Sequence, residues 1–231
     1  MLANLAPSSP SREQTSKTNQ PKTAYVIGMI IGLLLLLPAL YIAHAHRLNG
    51  FQARIFYDIN NLPNGYRVPA LWITEGLGSA IPIAICVLLP ALFKRFRLAW
   101  RFFFTAGGAV AVMEVAKVLT KEPRPVILLA HHLQLRAIET GPAFPSGHET
   151  AATALALTLW LVLPTKWRWL SLVWILLVAV SRLYLGVHAP VDIVGGFAIG
   201  LMAVCFVRLL PRVIAKPLRL DADHSLLEPG F

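Results

Sequence analysis

Long apolar runs separated by short polar segments occupy most of this chain of 231 residues. A helix needs about 20 residues to cross a bilayer core of about 30 Å, and six runs reach or approach that length. They extend over residues 24–43, 70–93, 102–119, 147–163, 169–186 and 191–210. The pattern therefore predicts an all-α, polytopic membrane protein with six transmembrane helices, of which the fourth is short.

The segments before and between the first two runs have a different character. Residues 1–23 are rich in Ser, Thr, Pro, Asn and Gln, which is typical of a disordered tail, and residues 211–231 form a second tail. Between the first two runs, Phe51, Ile55 and Ile59 recur at near-helical spacing, as in an amphipathic helix on a membrane surface. Ala43-His44-Ala45 resembles a signal-peptide cleavage site, but the long polar leader favours a retained first helix.

Composition and charge support this topology. The chain is 56% hydrophobic and 14% charged, with a mean hydropathy of +0.63, which excludes an ordinary soluble domain. With a cytoplasmic N-terminus, 13 of the 21 basic residues fall on the cytoplasmic side: Arg12, Lys17, Lys22, Lys94, Arg95, Arg97, Arg101, Lys166, Arg168, Arg208, Arg212, Lys216 and Arg219. Six fall on the other side: Arg47, Arg54, Arg67, Lys121, Arg124 and Arg136. The positive-inside rule therefore predicts both termini in the cytoplasm, and the net charge of +10 does not indicate nucleic-acid binding. We expect a multi-pass protein of the inner (plasma) membrane.

Three polar segments interrupt the apolar pattern. They read Lys-x6-Arg-Pro over residues 117–125, Pro-Ser-Gly-His over 145–148, and Ser-Arg-x5-His-x3-Asp over 181–192. Following the spans from a cytoplasmic N-terminus puts all three segments on the outer face of the membrane. We therefore expect them to form one site at the periplasmic or extracellular surface.

His188 and Asp192 flank a predicted helix start at Pro190, because proline suits the first turn of a helix. Asp192 could then reach back to His188, fix its tautomer and leave the other ring nitrogen free to attack. A helix-capping aspartate beside a histidine at the membrane surface is the alternative. Arg182 lies within an apolar run, where either phosphate binding or snorkelling to the surface accounts for it.

The segment at 145–148 has the features of an anion-binding helix start. Ser146 is a good N-cap, and Glu149 completes an S-x-x-E capping box. The free N–H groups would bind an anion, Gly147 would let the backbone approach it, and His148 could protonate a leaving oxygen. A plain helix start is the alternative.

Lys117 and Arg124 supply further positive charge. Lys117 ends the third run as a point charge, and Arg124, stiffened by prolines on both sides, offers a two-pronged clamp for a phosphate. An ion pair with Glu114 in the same helix is the competing explanation for Lys117.

Together, in this order, the three segments resemble the type 2 phosphatidic acid phosphatase (PAP2) superfamily. The resemblance implies a metal-independent phosphatase with a six-helix core and no cofactor. It implies that His188 attacks phosphorus, that Asp192 orients it and that His148 protonates the leaving group. The residues it assigns to phosphate binding are Lys117, Arg124, Ser146, Gly147 and Arg182. Glu149 departs from the small or hydroxyl residue that many members carry, and we expect it to act in the capping box.

The expected substrate is a lipid phosphate or diphosphate, whose tail would remain among the membrane lipids. The resemblance implies undecaprenyl diphosphate, phosphatidate and phosphatidylglycerol phosphate as candidate substrates, of which the polyprenyl diphosphate fits the outer-face topology best. Residues 120–145 could act as a lid or headgroup sensor, and this segment contains His131, His132, Arg136 and Glu139.

Two other functions use the same features. A lipid phosphotransferase would pass the phosphoryl group from the same histidine to an acceptor other than water. A transporter or channel would need a polar track through the membrane, whereas Lys117 and Arg182 lie at one end of their spans. The sequence indicates neither a metal site nor an obligate protein partner.

Overall fold

The structure, a computed structural model, describes residues 22–45, 50–128 and 133–210. Within these residues the chain forms nine α-helices joined by turns, without a β-strand, so the predicted all-α class is confirmed for this part. The helices are α1 (Lys22–His44), α2 (Gly50–Asn60), α3 (Arg67–Gly78), α4 (Ala80–Leu92), α5 (Phe96–Thr120), α6 (Pro125–Leu128), α7 (Gly147–Trp160), α8 (Trp169–Tyr184) and α9 (Pro190–Leu209). The predictions for the two terminal tails fall almost wholly outside the described residues.

Four helical segments are long and apolar enough to cross a membrane: Lys22–His44, Phe96–Leu128, Thr165–Tyr184 and Pro190–Leu209. Their outward faces carry large apolar side chains. Leu34, Leu119 and Leu176 are 67%, 72% and 62% exposed, which is unfavourable in water and suits contact with lipid tails. The chain is therefore a multi-pass membrane protein.

The second predicted span, over residues 70–93, consists of two helices. α3 and α4 meet at Ser79 with a bend of 44°, and the bent pair is long and apolar enough for one span. The Ser79 hydroxyl accepts a hydrogen bond from the N–H of Ile81 at 3.1 Å and so caps α4. It also donates to the carbonyl of Glu75 at 2.5 Å. One side chain thus ends α3 and begins α4.

The fourth predicted span is the central helix of the fold. α7 has 14 residues, so its length of about 21 Å is less than a bilayer core, and the six spans are not all confirmed by length. α7 packs against α3, α5, α8 and α9, and Ala152, Ala154 and Ala156 are fully buried. Small residues allow this close approach: a Cβ added at Gly200 of α9 would lie 2.6 Å from Cβ of Thr153.

The predicted amphipathic segment forms the helix α2, with Phe56 buried and Phe51 73% exposed. Asn60, its last residue, is buried and fixes two other parts of the chain. Its amide donates to the carbonyl of Gln134 at 2.9 Å and to that of Tyr184 at 3.1 Å. α2 therefore holds the loop before α7 against the end of α8, where the predicted site residues lie.

Candidate active site

The end of α8 fixes the backbone that carries His188. Gly186 follows the helix with φ +76°, a left-handed conformation that favours glycine. Its N–H donates to the carbonyl of Leu183 at 3.0 Å, and the N–H of Val187 donates to that of Arg182 at 3.4 Å, which together make a Schellman motif. The chain therefore leaves α8 in a defined direction, two residues before His188.

His188 and Asp192 interact as the spacing predicts. Oδ2 of Asp192 lies 3.1 Å from Nδ1 of His188 and accepts the backbone N–H of Ala189 at 2.8 Å. The Asp192 carboxylate thus caps the start of α9 and orients the imidazole at the same time, so the two interpretations of this residue are compatible. Both side chains are fully buried. With Nδ1 engaged, Nε2 of His188 is the nitrogen available for chemistry.

The start of α7 lies next to this pair. The N–H of Ser146 donates to the carbonyl of Asp192 at 3.0 Å, which ties the second polar segment to the third. On its other side, α7 packs tightly against α3. A Cβ added at Gly78 would lie 2.9 Å from Cβ of His148, so only glycine lets α3 approach this closely. His148 is thereby held between α3 and the loop before α7, with Nε2 3.5 Å from Oε1 of Glu75.

Lys117 and Arg124 bring the first segment to the same place. Lys117 lies near Gly147, since a Cβ added there would be 3.8 Å from its Nζ. The guanidinium of Arg124 donates to the carbonyls of Gly141, Val187 and Thr140 at 3.1, 3.0 and 3.1 Å. Much of the donor capacity of Arg124 therefore holds the backbone, and Nη1 also forms an ion pair with Oε2 of Glu139 at 3.0 Å.

Arg182 is 1% exposed, and Nη1 donates to Thr74 Oγ1 at 3.1 Å. Nη2 bonds the carboxylate of Glu139. Snorkelling to the surface is therefore the wrong interpretation, because the guanidinium is buried among α3, α8 and the loop before α7. Its charge acts on His188, since burial and this charge together lower the pKa of that imidazole.

Glu139 lies at the centre of the cationic groups, a position that sequence reasoning missed. Its Oε2 is 3.0 Å from Nη1 of Arg124 and 3.7 Å from Nε2 of His188, while Oε1 bonds Arg182 and lies 3.9 Å from Nδ1 of His148. Burial alone would raise the pKa of Glu139, but the charges of Arg182 and Arg124 outweigh it and hold the pKa below its ordinary value. The carboxylate is therefore ionised at neutral pH.

The predicted capping box at Ser146 and Glu149 is only half formed. The N–H of Glu149 reaches the Ser146 hydroxyl at 3.4 Å, but the reciprocal bond is absent because the N–H of Ser146 is taken by Asp192. The Glu149 side chain is buried and accepts from Thr153 Oγ1 at 3.3 Å. It contributes to the wall of an apolar cleft of ≈ 280 Å³ between α8 and α9.

The rest of the segment 120–145 is held firmly where the structure describes it. Arg136 is buried, stacks on the Tyr184 ring at 4.1 Å and donates to the carbonyls of Asn60, Tyr184 and Leu62. It anchors the loop and does not reach the site. His131 and His132 lie outside the described residues.

Taken together, the site is a buried histidine next to a cationic cradle, formed by Lys117, Arg124 and Arg182, at one end of the helical bundle. The structure brings together all eight residues that the sequence singled out: His188, His148, Asp192, Lys117, Arg124, Ser146, Gly147 and Arg182. Burial and the charges of Arg182 and Arg124 lower the pKa of His188 well below 6.5. A neutral imidazole near two guanidinium groups is suited to attack on an anionic electrophile.

Comparison with known proteins finds relatives that are named as phosphatases. One relative, the undecaprenyl-diphosphatase of Sulfolobus acidocaldarius, is 33% identical over 122 residues, which are 52% of this chain and 57% of the relative. Another, sphingosine-1-phosphate phosphatase 2 of Mus musculus, is 34% identical over 118 residues, which are 48% of this chain and 31% of that protein. The matches thus span about half of the first relative and about a third of the second.

Two solved structures share the fold. Aquifex aeolicus LpxE superposes with a TM-score of 0.63 at 22% identity, covering 68% of this chain and 94% of its own. The transmembrane PAP2-type phosphatidylglycerolphosphate phosphatase of Bacillus subtilis gives 0.63 at 24% identity, covering 81% and 97%. The sequence profile of the PAP2 superfamily matches residues 98–214, which include all three polar segments. The chain therefore belongs to the PAP2 superfamily.

Proposed function

We propose that this protein is an integral membrane lipid phosphatase, which transfers the phosphoryl group of a lipid phosphate or diphosphate to His188 and then to water. The observation that carries the proposal is the orientation of His188. Its Nδ1 is 3.1 Å from the Asp192 carboxylate, and its Nε2 lies 3.7 Å from the Glu139 oxygen that also pairs with Arg124. A nucleophile, its orienting carboxylate and a cationic cradle meet at one point.

The reaction has two steps. Nε2 of His188 attacks phosphorus, the P–O bond to the lipid breaks, and His148 donates a proton to the departing oxygen. Asp192 stabilises the positive charge that develops on the imidazole. Water then attacks the phosphohistidine, the P–N bond breaks, and His148 takes the proton from the water. Inorganic phosphate leaves, and His188 is neutral again.

The cations of the site take the role that a metal ion has in many other phosphatases. Arg124, Arg182 and Lys117 would bind the phosphoryl oxygens, with the N–H groups at the start of α7, Ser146 and Gly147 among them. Since guanidinium and ammonium groups supply this charge, we infer that hydrolysis does not require a metal. Hydrolysis that is lost in EDTA and restored by a divalent cation would contradict this.

The substrate class follows from the position of the site at one end of the apolar bundle. The two relatives are named for a polyprenyl diphosphate and a sphingosine phosphate, which share a phosphate group on a lipid. We infer that α7 is the short fourth of six spans and that the site opens on the outer face, with both termini in the cytoplasm. The test is a fusion, after residue 231, of a reporter enzyme that works only outside the cytoplasm. Activity of this fusion would contradict the topology.

The test of the function is phosphate release by the purified protein in detergent with EDTA. The panel contains undecaprenyl diphosphate, phosphatidate, phosphatidylglycerol phosphate and sphingosine 1-phosphate, and His188→Ala serves as the inactive control. We expect release from at least one lipid and none from the variant. Absence of release from every lipid, with the protein folded, would refute the proposed function, and release only on addition of an acceptor alcohol would favour phosphotransfer.

A further inference from the structure

The Glu139 carboxylate lies among Arg124, Arg182 and His188, in the position proposed above for the phosphoryl group. Its oxygens contact Arg124 and Arg182 and lie 3.7 Å from Nε2 of His188 and 3.9 Å from Nδ1 of His148. Carboxylate and phosphoryl groups bind guanidinium groups in the same way, through paired acceptor oxygens. The two anions therefore compete for the same donors.

We infer that Glu139 is a specificity-determining residue whose carboxylate fills the phosphoryl site of the resting protein, so that a substrate binds only by displacing it. The inference rests on the proposed function, because it takes the cradle around His188 to be the phosphoryl site. Glu139 makes no contact that the chemistry of phosphoryl transfer requires. The Glu139 carboxylate sets how much negative charge an anion must carry to enter the site.

Glu139 can leave the site without disturbing the groups it contacts. Its side chain is 24% exposed, whereas those of Arg124 and Arg182 are 8% and 1% exposed. When Glu139 rotates outward, Arg124 remains bonded to three backbone carbonyls and Arg182 to Thr74. The cradle therefore keeps its shape while its occupant changes.

The loop that carries Glu139 is fixed at both ends, so the carboxylate stays close after displacement. On one side the N–H of Arg136 donates to the carbonyl of Leu185 at 3.0 Å, and on the other the N–H of Ala143 donates to that of Glu122 at 2.9 Å. Between these bonds, Ile138 is 89% exposed and Gly141 has φ +80°. A tethered carboxylate competes as an intramolecular ligand, at a high effective concentration.

Such a competitor discriminates by charge. A terminal phosphate monoester carries a charge of about −1.5 to −2 at pH 7, because its second pKa is about 6. A phosphodiester, as in the bulk phospholipids around the protein, carries one negative charge, the same as the carboxylate. The dianion gains more from the two arginines than Glu139 does, whereas the diester gains no advantage. Glu139 would thus exclude ordinary phospholipid headgroups from a site that faces the membrane surface.

The experiment compares the wild type with Glu139→Gln and with Asp58→Asn. Asp58 is exposed on α2, so its substitution removes the same charge outside the site. Binding of inorganic phosphate and orthovanadate is measured directly from the rise in thermal unfolding temperature, which needs no turnover. Inhibition by phosphatidylglycerol is measured in mixed detergent micelles with a lipid phosphate as substrate.

We expect Glu139→Gln to bind phosphate and vanadate about tenfold more tightly or better, because removal of a competing occupant raises the fraction of competent sites. The KM should fall without a loss in kcat, and phosphatidylglycerol should inhibit this variant alone. Unchanged or weaker anion binding, or an equal gain in Asp58→Asn, would overturn the inference. If the wild type hydrolyses no lipid phosphate, the proposed function fails, whereas the direct binding comparison still decides the role of Glu139.

Discussion

Replacement of Asp192 by Asn tests the geometry around His188 most sharply. Oδ2 of Asp192 receives two groups, Nδ1 of His188 at 3.1 Å and the backbone N–H of Ala189 at 2.8 Å. An asparagine oxygen can still accept a hydrogen bond from the N–H of Ala189, so the cap on α9 is kept. The free energy of unfolding should therefore change by about 1 kcal/mol or less. The negative charge that stabilises the phosphorylated imidazole is lost.

The magnitude follows from the value of one charge-assisted hydrogen bond. Such a bond contributes about 1.5 to 3 kcal/mol, and about 1.4 kcal/mol corresponds to a factor of ten in rate. Formation of phosphohistidine in Asp192→Asn should therefore be slower by about 10- to 150-fold. If the amide turns its NH₂ toward Nδ1 and selects the wrong tautomer, the loss should approach about 10⁴-fold, as in serine proteases.

The assay is a single-turnover reaction with a ³²P-labelled lipid phosphate, quenched in alkali because phosphohistidine is stable in alkali and hydrolyses in acid. Asp58→Asn is the control for loss of an exposed carboxylate, and thermal unfolding verifies that both variants fold. A rate within twofold of the wild type for Asp192→Asn would refute the reasoning, because the 3.1 Å contact would then have no catalytic effect.

Three further predictions concern the cradle, the packing and the pH dependence. Arg182→Lys removes the planar guanidinium, whose Nη1 donates to Thr74, so kcat/KM should fall about 10- to 100-fold. The control is Arg208→Lys, at the other end of the bundle. Equal losses in the two variants would contradict a specific role of Arg182 in the site. Gly78→Ala adds a Cβ 2.9 Å from His148, which should cost about 1 to 3 kcal/mol of stability and reduce activity, whereas Gly76→Ala meets nothing within 4 Å and should have little effect; thermal unfolding and phosphate release distinguish the two. Burial and the nearby arginines lower the pKa of His188 well below 6.5, so the nucleophile is still neutral at pH 6.5. The loss of kcat/KM on the acid side should therefore have its midpoint below pH 6.5, and a midpoint at or above this value would contradict the lowered pKa.

Much of the architecture follows from apolar run length and motif spacing. Because length and hydropathy are local properties of the sequence, the runs give the spanning helices α1, α5, α8 and α9 within two residues at each end, except that α5 begins six residues earlier than predicted. The break at Ser79 was missed, although Gly78, Ser79 and Pro82 are turn and helix-start residues that interrupt the second run. The count of apolar residues in that run outweighed these signals.

Side-chain contacts between distant segments were less predictable. The interaction of His188 with Asp192 follows from four residues of spacing around a helix start. The contact of Glu139 with Arg182 depends on a loop whose path is set by Asn60 and Arg136, and nothing in the local pattern indicates it. The capping box at Ser146 is incomplete for the same reason, because its N–H is bonded to a carbonyl 46 positions further on. Local rules identify the candidate groups, and tertiary contacts decide their partners.

The measurement that tests the central claim most directly is identification of the phosphorylated residue. The wild type is reacted with the lipid phosphate that it hydrolyses fastest, quenched in alkali within milliseconds and analysed by peptide mass spectrometry. We predict a phosphoryl group on the peptide that contains His188, which disappears in His188→Ala and forms more slowly in His148→Ala, because this variant lacks the proton donor for the departing oxygen. A phosphoryl group on another residue, or rapid turnover by His188→Ala, would contradict it.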